Sequence, residues 1–175
     1  MIIIRKEETK DYEKVEKVIE ESFKTAEFTD KDEHNLVRRL RKSAEFVKEL
    51  SLIAEDNDRI VGHILLTKAF IKENNREFDT LALAPVAVLP DYQKRGIGKS
   101  LINKAIEKAI ELGYKSIVVL GHENYYPKFG FKKASDYGIK APFEVPDEAY
   151  MILELIPNAL NGVNGTVEYS KAFFE

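Results

Sequence analysis

The segment Val86-Ala87-Val88-Leu89-Pro90-Asp91-Tyr92-Gln93-Lys94-Arg95-Gly96-Ile97-Gly98-Lys99-Ser100-Leu101 passes from a β-rich run to a helical one within a few residues. An apolar run ends at Leu89-Pro90, a short loop carries Gly96 and Gly98, and a helical period begins at once. N–H groups at a helix start lack intrahelical partners and lie at the positive end of the macrodipole. Glycines keep side chains off that backbone. Gln93 to Ser100 therefore reads as a cradle for a pyrophosphate, with Lys94, Arg95 and Lys99 adding positive charge. The same pattern also fits a turn and helix cap that binds nothing. Two other phosphate loops are excluded. A Walker loop needs glycine five positions before Gly98, where Gln93 stands. A dinucleotide fingerprint needs a third glycine three after Gly98, where Leu101 stands.

Working outward, Gly98 to Leu112 predicts a helix with Leu101, Ile102, Ala105, Ile106, Ala109 and Ile110 on one side and Gly113 as its stop. Lys115 to Leu120 is a β-branched run that reads as a buried strand. Strand, helix and strand in succession make a right-handed crossover onto a parallel pair. Upstream, Leu50–Glu55, Ile60–Phe70 and about Phe78–Leu89 read as strands joined by turns at Asp56-Asn57-Asp58-Arg59 and Glu73-Asn74-Asn75-Arg76. Before them come a strand over 2–5, a helix over 11–24 capped by Thr9, and a helix over 30–42. Phe131–Lys133 and Ala149–Ile156 read as closing strands, and Pro157–Glu175 as an ordered tail carrying Tyr169, Phe173 and Phe174. The fold class is α+β, a mixed, mostly antiparallel sheet with one parallel pair.

The 175 residues fit one ordinary domain, and no cysteine is present, which excludes disulfides, thiolate metal sites and a cysteine nucleophile. The 27 basic and 30 acidic residues leave a net charge of −3, with no basic arm to recommend nucleic-acid binding. The opening Met1-Ile2-Ile3-Ile4 is too short for a signal h-region, and the longest nearly uncharged run, Thr80–Pro90, is shorter than the ~20 residues a membrane helix needs. A cytoplasmic protein with no membrane partner is expected. His63 and His122 lack the ligand spacing of a structural metal site, so no metal is expected.

Gln93-Lys94-Arg95-Gly96-Ile97-Gly98 matches the Q/R-x-x-G-x-G/A signature of the GCN5-related N-acetyltransferases (GNAT), which the whole order of strands and helices also resembles. Gly62-His63-Ile64, Leu120-Gly121-His122 through Tyr125-Tyr126-Pro127-Lys128-Phe129-Gly130-Phe131, Ala141-Pro142-Phe143 and the tail around 159–174 resemble the YhbS-like branch of that superfamily. The resemblance implies a sheet with one splayed parallel pair flanked by about four helices. Residues 1–156 would form the acetyltransferase domain, and 157–175 a C-terminal extension packed on it.

Acetyl-CoA is the implied co-substrate. Its pyrophosphate would lie on the N–H groups of Lys94, Arg95, Gly96, Ile97, Gly98 and Lys99, in the loop opened by Gln93, with the Ser100 hydroxyl at the helix start. Its pantetheine arm would pair with Val86, Ala87 and Val88, where an N–H would hold the thioester carbonyl. Pro85 fits the bulge the family carries in this strand. The tyrosine four residues before the glycine of Gly130-Phe131 is Tyr126, placed by the resemblance to protonate the departing thiolate; a packing or substrate-contact role competes with this. Pro127 departs from the family by breaking the short helix usual there.

No general base stands out: Leu81–Leu89 holds no acid, and Glu33, His34, His63 and Glu123 are the candidates. The acceptor is an amine of a small molecule or peptide, with Phe28, Tyr125, Tyr137 and Phe143 hinting at an apolar wall. A non-catalytic CoA-binding module, or another acyl donor or a hydroxyl acceptor, are the alternatives. A monomer or a homodimer both fit.

Overall fold

The computed structural model describes residues 1–26 and 29–175. Its strands are β1 (Ile2–Lys6), β2 (Phe46–Asp56), β3 (Arg59–Glu73), β4 (Arg76–Val88), β5 (Ser116–Leu120), β6 (Lys132–Lys133), β7 (Ile139–Lys140), β8 (Tyr150–Glu154) and β9 (Gly165–Glu168). The helices are α1 (Tyr12–Phe23), α2 (Glu33–Arg41) and α3 (Ile97–Glu111). One sheet runs β1-β2-β3-β4-β5-β8-β6, with β9 seated against both β3 and β7. Its neighbours are antiparallel except β4–β5, the expected parallel pair, and a two-residue parallel contact of β7 with β9 that the sequence reading lacks.

Three α-helices are present among the described residues where about four were expected. At Tyr126–Phe129 the chain makes a 3-10 turn with proline in its first turn, closed by Gly130 at φ 101°. Pro127 lacks the N–H that a longer helix would use. The start of α1 also differs from expectation. Thr9 does not cap it; the Asp11 carboxylate accepts the Glu8 N–H at 2.8 Å and is held in turn by Arg5 at 2.8 and 3.0 Å.

The two sides of the sheet follow from two adjacent residues. A Cβ on Gly62 would meet the Leu101 side chain at 3.1 Å and Ile97 at 3.4 Å, so glycine lets α3 press directly on β3. His63 points the other way, as alternate strand residues must, toward Glu7 and α2. The core therefore lies on both faces. Leu101, Ile102 and Ala105 fill one, Val15, Ile19, Val37 and Leu40 the other, all essentially water-free. Each such large side chain is worth roughly 1.5–3 kcal/mol over exposure.

Beneath α2 lies a buried polar cluster. Arg41 donates to Glu7 at 2.6 Å and to Glu16 at 2.7 Å, and stands 3.9 Å over the Tyr12 ring. Ser51 donates to Glu7 at 2.8 Å and contacts His63 Nε2 at 3.1 Å. The tail is tied down by β9, which pairs Val167 with Ile71. That covers the part of the β3 edge beyond its last pair with β2, Phe46 opposite Thr67.

Candidate active site

β4 and β5 pair briefly and then part. Leu81 pairs with Ile117 and Ala82 with Val118, and the pairing stops there. On the other side of β4 the register to β3 shifts between Leu66–Leu83 and Ile64–Val86, so Ala84 and Pro85 stand opposite Leu65 alone. This is a β-bulge, as expected of Pro85, and it bends β4 away from β5.

Past the bulge, Leu89 N–H donates to Val61 at 2.9 Å across the β3–β4 ladder. Alternation then turns Ala87 toward β3, and turns Val86 and Val88 toward the gap. The Val88 carbonyl accepts from the Gln93 side chain at 3.1 Å, which ties the loop to the strand end.

The loop follows at once. Gly96 is the residue before α3 and takes φ 80°, ψ 10°, a conformation that favours glycine. Lys94 also has positive φ, at 63°. The first helical bond is Ser100 N–H to the Gly96 carbonyl at 3.0 Å. Among the described residues, the N–H groups of 94–99 have no backbone acceptor. They converge on a helix start whose flanking side chains, Lys94, Arg95 and Lys99, are exposed. Arg95 and Arg59 bracket the Tyr92 ring at 4.9 and 5.6 Å, and the Tyr92 hydroxyl donates to Asp56 at 3.1 Å. Charge and unpaired donors thus meet at one end of the gap, which is what an anion requires.

The two adjacent tyrosines divide the gap between them. Their rings meet edge-on, centroids 5.2 Å apart at 84°. Tyr125 reaches the α3 side, its hydroxyl 3.5 Å from where a Cβ on Gly98 would lie. Tyr126 is buried against Gly121, Phe129 and Phe131 and lines a cavity on the other side. Its hydroxyl has no hydrogen-bond partner among the described residues. Burial, with Tyr125 alongside, pushes Tyr126 up to about 12, and burial alone raises Tyr125. Tyr126 therefore keeps its proton across the neutral range.

The cavity, of about 630 Å³, is framed by the bulge of β4, the free end of β5, the ends of α1 and α2, and the tail. Of the residues read from sequence as an apolar wall, Phe143 lines it. Tyr137 instead packs into a separate core cluster with Ile139 and Tyr150, Tyr125 faces α3, and Phe28 lies outside the described residues. The tail rings Tyr169, Phe173 and Phe174 also line it, where the sequence reading has them only packed on the domain.

Among the candidate bases, Glu33 lines the cavity. His63 is fully buried beneath α2, and desolvation, with Arg41 nearby, drives it down to about 3. It is a neutral member of the Glu7–Ser51 cluster and has no route to an acceptor. His34 faces Glu20 of α1 at 3.4 Å and is absent from the cavity lining among the described residues, and Glu123 is exposed.

These features agree with the comparisons. The acetyltransferase (GNAT) family model matches residues 10–131. The Escherichia coli K12 protein described as the uncharacterized N-acetyltransferase YjhQ is 40% identical over 117 residues, which are 66% of this chain and 65% of that one. The E. coli crystal structure of the GNAT family N-acetyltransferase YhbS in complex with CoA superposes with a TM-score of 0.89 at 26% identity, covering 99% of this chain and 92% of that one. A GNAT family acetyltransferase from Brucella melitensis in complex with acetyl-CoA gives 0.80 at 28% identity, covering 99% and 98%.

Proposed function

The chain belongs to the acetyltransferase (GNAT) family, and on that premise we propose that it moves an acetyl group from acetyl-CoA to an amine by direct transfer in a ternary complex. One observation carries the proposal. The gap between β4 and β5 has unpaired backbone donors on one side and a cavity on the other, with Tyr126 at the boundary.

Acetyl-CoA, the co-substrate, supplies an activated thioester. The N–H groups of 94–99 hold its pyrophosphate, and the Gln93 amide keeps the loop against β4. Val86 and Val88 turn backbone toward the gap and hold the pantetheine arm as an added strand would be held; one of their N–H groups stabilises the charge that grows on the carbonyl oxygen. Ala87, facing β3, supports them. Tyr126, held protonated across the neutral range by its raised pKa, gives its proton to the sulfur as the C–S bond breaks, and the phenolate, a stronger base than a thiolate near 8.5, then recovers a proton from water. Ser100 adds a hydroxyl beside the phosphates.

In the same reading, residues 1–156 carry the transfer chemistry, and 157–175 complete the acceptor side of the cavity. The acceptor is an amine of a small molecule or peptide. No helix among the described residues is long and apolar enough to cross a membrane, and the cysteine-free composition suits the cytoplasm.

Incubation with acetyl-CoA and a panel of primary amines, read as thiol release, tests the proposal. The chain contributes no thiol background. Release that depends on an amine supports transfer. Tight CoA binding with no release for any amine points to a CoA-binding module instead.

A further inference from the structure

The cavity has two unlike sides. One is aromatic: Phe143 stacks on Tyr169 with centroids 5.8 Å apart, and Tyr169 meets Phe173 edge-on at 5.1 Å. A hydrogen bond of 2.7 Å between the Tyr150 and Tyr169 hydroxyls fixes that side in place. The other side is the start of α2, which carries carboxylates. Two of them already have partners within the protein. Asp32 accepts from Asn35 at 2.7 Å and from Arg39 at 3.3 Å, and Asp30 accepts the Asp32 N–H at 2.9 Å.

Glu33 is different. Its Oε2 accepts from the Thr29 hydroxyl, while Oε1 is out of contact with water and has no partner among the described residues. A carboxylate oxygen in that state calls for a donor. Arg39, the cation among the described lining residues, is committed to Asp32 and to the Ala172 carbonyl at 3.0 Å. An acceptor carrying a carboxylate would meet three acidic side chains and one engaged cation.

Resting on the acetyltransferase reading, we propose that Glu33 binds the acceptor's amino group and that the acceptor is a primary amine on an apolar, ring-sized body without a carboxylate. The ring lies against Phe143, Tyr169 and Phe173. The ammonium hydrogen-bonds to Glu33. An N–H bond of the ammonium breaks as an O–H bond forms on Glu33, and the lone pair is freed to attack. The proton then passes to solvent when the product leaves the cavity.

The experiment compares 2-phenylethylamine with phenylalanine, which differ by the carboxylate, in the thiol-release assay. It is run on the wild type and Glu33→Gln, with acetyl-CoA affinity measured separately on both. Expected is kcat/KM for phenylethylamine at least tenfold above that for phenylalanine. Glu33→Gln should lower the phenylethylamine value tenfold or more and leave acetyl-CoA affinity unchanged. Equal use of both amines, no use of either with acetyl-CoA binding intact, or full activity of Glu33→Gln would overturn the assignment and leave the donor site standing. Failure of acetyl-CoA to bind the wild type would overturn the transferase reading and this assignment with it.

Discussion

The Tyr125 hydroxyl stands 3.5 Å from the point where a side chain on Gly98 would begin, so the second glycine of the loop faces a phenol across the groove rather than open solvent. Gly96, two residues earlier, faces nothing within 4 Å but holds φ at 80°. The two glycines are therefore required for different reasons, which separate on substitution.

Gly96→Ala strains the backbone and should cost about 1 kcal/mol or more of stability. Gly98→Ala lies within a helix at an ordinary contact distance and should be neutral or stabilising by roughly 0.5–1 kcal/mol. Urea unfolding of both variants checks this. Gly98→Val should keep the fold and lose CoA binding, because its branches enter the space between Tyr125 and Val88.

Tyr126→Phe removes a hydroxyl with no partner among the described residues, so folding should change little. If Tyr126 is the acid, kcat falls by about tenfold or more, in line with the usual worth of general acids, while acetyl-CoA affinity holds. Tyr125→Phe should affect binding more than turnover. Single-turnover kinetics together with titration separate the two effects.

Arg41→Met should destabilise the fold by about 3–5 kcal/mol, since Glu7 would be left buried without its cation, whereas Glu16 keeps Arg38. Chemical denaturation at neutral pH measures it. The loss should shrink in the double variant that also carries Glu7→Gln.

The Arg5 guanidinium holds the Asp11 carboxyl below the ordinary carboxylate range. A depressed folded-state value means the stabilisation is present above the unfolded value near 3.9 and is lost as pH falls through the folded one. Unfolding midpoints should therefore drop between about pH 5 and pH 2 in the wild type, and drop less steeply in Asp11→Asn.

Much of this was legible in the sequence where local chemistry alone decides. Gly113 and the glycines of the loop bracket α3, and the β-branched run at 116–119 allows little but a buried strand, so the β4–α3–β5 crossover is found within about two residues at each end. The bulge could be expected at Pro85 because proline interrupts a ladder wherever it stands. What escaped depends on tertiary partners. Gly165-Thr166-Val167-Glu168 becomes a strand because β3 offers an open edge, and Lys132–Lys133 and Ile139–Lys140 are too short to show a period. Thr9 is a common capping residue, yet it is Asp11 that accepts the Glu8 N–H, held in place by Arg5. Glu33 was one of four candidate bases until the cavity set it apart, and nothing local indicates that Tyr169 and Phe173 turn toward the same cavity.

Isothermal titration of the purified protein with acetyl-CoA, with free CoA and ATP as parallel titrants, tests the central claim most directly. Saturable binding of both CoA species, none of ATP under the same conditions, and loss of binding in Gly96→Glu are the predicted results. A folded protein that takes up no heat with acetyl-CoA at millimolar concentration would contradict the account and leave the family resemblance as one of fold alone.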